Sequence, residues 1–327
     1  MARRAPALIW ALSLFLLAPL IGEFLLGNLP ITFLPALIAL APLYGGGALL
    51  IRETARRAGL GWPGMLLLCL AFGVIEEAFV TQSLFDPDYL GLGLTAHAEV
   101  PWLGIGMWWT VFVLGLHAVW STAVPIALIE TLAGAERETS WLGRFGLAVT
   151  ALLFLAGCAM TVMFEQSSFI AAPHQFAIAA IAVVALVVGA FMQRGRAGAN
   201  DTTRTAPRPP VAGLAAFAAG SIFLGLAYLR DIPNAWVSAA LMLLTAAAFG
   251  LTLRYWSRRD GWTQTHRFAV AAGMTLTYVW FGFLQVPSIG GVDLMTDLVG
   301  NAVFSAAAIA LLFAAGMRVR REGDARR

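Results

Sequence analysis

The chain has 327 residues, of which 60% are hydrophobic and only 12% charged, with a mean hydropathy of +0.79; soluble domains carry roughly 25% charged residues, so a water-soluble globule is excluded. All 21 basic side chains are arginine, and with the alanine and glycine richness this composition fits a GC-rich bacterial genome. The formal net charge of +3 and the pI near 9.2 do not point to nucleic acid, because the arginines fall in short stretches between apolar runs and read as topology signals.

In lipid the backbone must satisfy its own hydrogen bonds, which leaves helices or a closed barrel, and apolar runs of about 20 residues select helices. The expected fold is all-α, a polytopic transmembrane bundle of about ten helices in one membrane domain over 1–327. The first run, 7–26, follows Arg3 and Arg4; it is signal-like in its start, but its length and the lack of an Ala-x-Ala site after it favour a retained helix. The second, 31–51, ends in Arg52, Arg56 and Arg57. The third, 62–84, opens with Trp62-Pro63 and stops at Asp86-Pro87-Asp88, and the fourth, 103–132, is long enough to need a tilt or a bend at Pro125. Runs at 142–164 and 175–193 precede a polar stretch, 194–210, that reads as a flexible connector. Runs at 211–229, 233–253, 268–287 and 298–317 complete the set.

Placed on alternating sides, the arginines at the N-terminus, after the second, fourth, sixth and eighth helices and in the tail number 2, 3, 2, 4, 4 and 5, and only Arg230 falls opposite. The positive-inside bias therefore places both termini in the cytoplasm of a plasma membrane. The stretches 47–62 and 249–262 both run from a helix end through paired arginines to Gly-Trp, which hints at duplication or at shared topology chemistry. Cys69 and Cys158 lie inside apolar runs and read as small core residues.

The polar residues inside the helices carry the functional reading. Glu76 and Glu77 sit within the third helix, where a carboxylate costs roughly 2.5–3.5 kcal/mol on insertion scales and so faces protein or water. At about 100° per residue the pair points two ways, with Glu77 sharing a face with Gly73 and Thr81, and Glu76 with Val80 and Ser83. His117 on the fourth helix shares a polar stripe with Thr110 and Ser121. Counting from the aromatic belt at Trp108-Trp109 puts His117 ~12 Å deep, and counting outward from Trp62 puts Glu76 ~9 Å below the same surface. The two depths bring Glu76, Glu77 and His117 into one candidate site, with Thr81, Ser121 and Thr110 in support.

Glu23, Glu165, Gln166 and Asp297 lie at helix ends, where headgroups and water solvate them. Glu130 is placed to snorkel toward the cytoplasmic arginines, and Asn301 and Gln285 line a cavity or bridge helices. His97 and His174, in loops with Asp86, Asp88 and Glu99, show no metal-ligand spacing, and His266 falls in a connector. Gly45-Gly46-Gly47 is either an interrupted helix or a close-packing surface. No metal or cofactor is expected, and no nucleotide, zinc-protease or serine-hydrolase motif occurs.

The Glu-Glu pair followed on the next helix by a His resembles the CPBP group of intramembrane glutamic proteases, which includes the CAAX-processing endopeptidases. The resemblance implies that one of Glu76 and Glu77 activates water, with His117 helping to hold the water or oxyanion. The family's Glu-Glu-xxx-Arg pattern meets Thr81 in place of Arg, its Phe-xxx-His pattern meets Val113 in place of Phe, and its later His-xxx-Asn element is absent. Three functional readings stand on these residues: a transporter or permease with proton-titratable carboxylates, slightly favoured; a glutamic intramembrane protease; and a non-catalytic assembly partner. The expected partners are the lipid bilayer and a small-molecule or membrane-peptide substrate.

Overall fold

The structure is a computed structural model that describes residues 4–164, 168–195 and 201–324. Among these, ten helices are long and apolar enough to cross a membrane: α1 (Ala7–Leu25), α2 (Ile31–Ala58), α3 (Trp62–Val80), α4 (Met107–Glu136), α5 (Arg144–Phe164), α6 (Pro173–Met192), α7 (Pro209–Tyr228), α8 (Ala235–Trp256), α9 (Gln264–Leu284) and α10 (Leu294–Asp324). Two short strand pairs, β1 (Glu99–Val100) with β2 (Ile105–Gly106) and β3 (Asp201–Thr205) with β4 (Arg259–Asp260), lie in connectors. The chain is thus an all-α polytopic bundle. Of the connector read over 194–210, residues 201–205 pair with β4 and α7 begins at Pro209, whereas 196–200 lie outside the described residues, as do Glu165 and Gln166.

The bundle has a centre and a rim. Over their most apolar 18 residues α3 and α4 are about 67% and 72% buried, against 11% for α5 and 17% for α6 and α8, so α3 and α4 are wrapped by protein while α5, α6 and α8 turn apolar surfaces outward. One face gathers both termini: Trp10 of α1 lies beside Arg318 and Arg321 of α10, Arg137 pairs with Glu322, and Gln264 donates to Thr131 at 3.0 Å. On the opposite face Ser288 donates to Asn28 Oδ1 at 2.6 Å, and the Gln175 amide donates to the carbonyl of Leu103 at 2.8 Å.

Several helix ends differ from the sequence reading for identifiable reasons. α2 does not stop at 51 but runs to Ala58, where Gly59 closes it in the left-handed conformation (φ 67°), a common helix stop. Its extra turns hold Arg52 and Glu53 in the interior. α4 starts at Met107, after the β1–β2 hairpin, and passes Pro125 through a π-helical turn, His117–Ala123, that ends just before the proline. His266 belongs to the first turn of α9, where it is buried and stacked 4.7 Å from Trp262. The Gly45-Gly46-Gly47 run is a close-packing surface, its three residues abutting Phe15, Phe154 and Phe72 on three different helices, and Gly45 also ends a π-helical turn that interrupts α2.

A buried ion-pair cluster closes the termini face. Arg52, with no exposed surface, donates to Glu53 Oε1 at 2.6 Å, Glu130 Oε1 at 3.2 Å and the carbonyls of Arg137 and Thr139 at 2.8 and 2.7 Å. Its guanidinium carbon lies 3.3 Å over the Trp141 ring. Glu130 also takes Arg56, so the expected reach of Glu130 toward the arginines is met inside the protein, not at the headgroups. Removing one partner from such a cluster strands a buried charge, at about 3–5 kcal/mol. Arg52→Met should therefore lower stability by that order in detergent-based unfolding, while Arg254→Met, at an exposed position, should stay within about 0.5 kcal/mol; equal effects would show that the cluster does not hold the fold.

Candidate functional site

Four helices widen into π-helical turns at one level of the bundle: Leu20–Leu25 in α1, Ala41–Gly45 in α2, Glu76–Val80 in α3 and His117–Ala123 in α4. Such single-turn insertions rotate the residues that follow and recur at functional sites. Each of these turns carries a polar group of one cluster: Glu23, Tyr44, the pair Glu76 and Glu77, and His117.

His117 is the centre. Its Nε2 lies 2.7 Å from Glu77 Oε1 and its Nδ1 lies 3.2 Å from Glu76 Oε2. The two carboxylates, which an ideal helix would point about 100° apart, instead address opposite nitrogens of one ring. The π-turn allows this: the Thr81 amide reaches back five residues to the Glu76 carbonyl at 2.9 Å. Glu77 is held further by Thr81 Oγ1 at 3.1 Å and by the Ser83 hydroxyl, which in turn accepts from Trp109 Nε1 at 2.9 Å. Ser83 was expected on the face of Glu76; because the helix ends at Val80 and Gln82 adopts φ 55°, the chain folds back and delivers it to Glu77. Gly73 lets α4 approach, since a Cβ there would sit 3.2 Å from His117 Cβ.

Glu76 is less tied. Its Oε2 is buried beside the imidazole without a hydrogen-bond partner among the described residues. Ser121 Oγ lies 3.3 Å from His117 Nδ1, so Ser121 joins the cluster. Thr110 does not: its hydroxyl donates to the Gly106 carbonyl at 2.9 Å, one turn from the start of α4.

Two members were not anticipated. Glu23, expected at a solvated helix end, is buried, accepts from Tyr44 at 2.5 Å and from the Asn28 amide at 2.5 Å, and faces the same space as Glu76. The Tyr44 ring stands 5.8 Å from that of His117. Depth counting gave no signal for Glu23: it lies two residues from the end of α1 at Leu25, and it is the packing of Tyr44 and Asn28 around it that makes it interior.

These groups form the floor of a cavity of about 1800 Å³ that extends to Asp88, Arg230, Asp231 and Ser288 at the face opposite the termini. Gln285 lines it as well, whereas Asn301 is buried and donates to Asp297 at 3.3 Å. At the mouth, Arg230 lies 3.6 Å from Asp231 and 5.0 Å over the Trp108 ring. His97 packs 5.6 Å from Trp108 and 3.8 Å from Asp231; partial burial and then the Arg230 charge push its imidazole below the usual range. Among the described residues, Glu76, Glu77 and His117 are the cluster whose donor atoms, all within 4.8 Å of one another, suit a metal ion.

The fold and cluster define a class: a polytopic α-helical membrane protein with a Glu–His–Glu site buried between its central helices. Residues 12–321 match the profile described as an uncharacterized membrane protein family, and the chain belongs to that family. Among curated proteins and solved structures none matches it. The likeness to glutamic proteases rests on Glu76, Glu77 and His117 alone.

The cavity predicts one-sided water access. With Cys158 replaced by Ser, Thr81→Cys should react with a small membrane-impermeant thiol reagent added at the face opposite the termini, while Thr131→Cys, buried near the ion-pair cluster, should not react from either side. An inert Thr81→Cys would mean that the cavity floor is closed to water.

Proposed function

We propose that the chain is a plasma-membrane carrier in which Glu76, Glu77 and His117 take up and release protons in step with a substrate bound in the cavity. The observation that carries this reading is the pairing of a cavity open at one face with a buried ion-pair cluster at the other. Alternating access needs a central site, one path open and the opposite path shut. Here the site is the Glu–His–Glu floor, the open path runs to Arg230 and Ser288, and the shut path is the Arg52–Glu53–Glu130 cluster. With the arginine bias placing the termini in the cytoplasm, the cavity faces outward.

The site suits proton exchange because its charges are few and interdependent. Two carboxylates, Glu76 and Glu77, address the two nitrogens of one imidazole, and a third, Glu23, joins them through Tyr44, whose ring stands beside that of His117. Intramembrane acids and histidines in contact commonly form proton relays. Breaking the Arg52 cluster would open the inner path, which links the stability of that cluster to turnover.

A second reading, intramembrane hydrolysis, is favoured by one detail: Glu76 Oε2 and His117 Nδ1 stand together at the cavity floor, where a water between them would meet a general base. The same variants separate the two. In detergent, a step from about pH 8 to about pH 6 should drive greater proton uptake by wild type than by Glu76→Gln, Glu77→Gln or His117→Ala, followed with an indicator dye. Identical uptake in all four would sink the carrier reading. Cleavage of membrane peptides by wild type, lost in the same variants, would select hydrolysis.

A further inference from the structure

The cavity has a charge imbalance opposite to that of the chain. The protein as a whole is basic at +3, yet among the described residues the carboxylates Glu23, Glu76, Glu77, Asp88 and Asp231 line the cavity against one guanidinium and one imidazole. Arg230 is already engaged by Asp231 and Trp108. At the floor, Glu76 is only 2% exposed, and its Oε2, 3.2 Å from His117 Nδ1, has no hydrogen-bond partner among the described residues. A cleft of one sign with low-dielectric walls focuses the field and concentrates counter-ions, so the ligand that this cavity draws in is a cation.

Its walls say what kind of cation. Trp108, Trp109, Phe112 and Phe281 line the space above the floor, and aromatic faces attract desolvated organic cations. A cavity of about 1800 Å³ exceeds the ~300–1,000 Å³ of ordinary ligand pockets and has room for an apolar body around the charge. The cavity also reaches the lipid-facing side of the bundle. Ile38 of α2 and Phe164 of α5 both line it and are 76% and 72% exposed.

We propose that the cavity binds a lipophilic organic cation, an ammonium or phosphonium with an apolar body, which enters between α2 and α5 from the lipid and seats its charge on Glu76. This rests on the carrier reading and adds the substrate class to it. Charge neutrality sets the exchange: a monovalent cation seated on a protonated Glu76 releases one proton to solution, so cation and proton move in opposite directions.

The test compares two ions of one shape and opposite charge. The full chain in detergent is dialysed to equilibrium against tetraphenylphosphonium or tetraphenylborate at about pH 8, with protein-free micelles as reference and an indicator dye in weak buffer. Saturable phosphonium binding with proton release, no specific borate binding, and at least about tenfold weaker phosphonium binding by Glu76→Gln are expected. Equal binding of the two ions by wild type overturns the proposal whether or not the variant folds. Zinc binding that phosphonium cannot displace would assign the cluster to a metal and also overturn it. For the lateral route, a bulky maleimide on Ile38→Cys should slow phosphonium loading from liposomes relative to the unlabelled variant; unchanged loading would remove that route. Wild type that takes up protons through Glu76 but ignores phosphonium loses the substrate class and keeps the carrier reading, whereas failure of both proton uptake and phosphonium binding ends both.

Discussion

A charge held in hydrocarbon must find a partner or cost several kcal/mol, and the two interior clusters of this protein are two answers to that constraint. At the termini face the answer is complete: Arg52 has two carboxylates, two carbonyls and an aromatic face around it. At the cavity floor it is incomplete. Two carboxylates share one imidazole with a third beside them, and one oxygen of Glu76 has no hydrogen bond among the described residues. The first arrangement is a structural plug; the second is a site with capacity to spare.

The backbone is adapted to the second cluster, not the reverse. A regular α-helix separates neighbouring side chains by about 100°, which would turn Glu76 away from whatever Glu77 meets. The π-turn in α3 begins at Glu76, and the two carboxylates reach the two nitrogens of one ring placed between them, while matching turns in α1, α2 and α4 carry Glu23, Tyr44 and His117. Widened turns forfeit regular helix geometry, so four of them around one imidazole mark the place where the bundle gives up local regularity for an arrangement of side chains.

The proposed division of labour follows from where these features lie along the membrane normal. In the proposed reading, an acidic, aromatic cavity on one side and the buried ion-pair cluster on the other make the Glu–His–Glu floor the point at which an entering substrate stops. The same asymmetry explains Arg230, the exception in the arginine distribution: it is spent at the cavity mouth on Asp231 and Trp108 and not on topology.

Hydrophobicity and arginine spacing determined the ten helices from the sequence alone, because lipid imposes a length on each apolar run that tertiary packing cannot change. Depth counting likewise put Glu76, Glu77 and His117 within reach of one another, since rise per residue is nearly constant in a helix. Azimuth was not legible. Which carboxylate Ser83 would meet depended on the π-turn and on Gln82 at positive φ, whose side chain takes the Ala171 amide of a distant connector. Nor could the sequence separate a charge at a solvated end from one folded inward: Arg52 and Glu23 look like boundary residues in the chain, and only the closure of α2, α4 and the 134–142 connector around the one, and of Tyr44 and Asn28 around the other, made them interior. Sequence fixes how far along the membrane normal a group lies; whether water, lipid or a partner side chain meets it there is decided by the neighbouring helices.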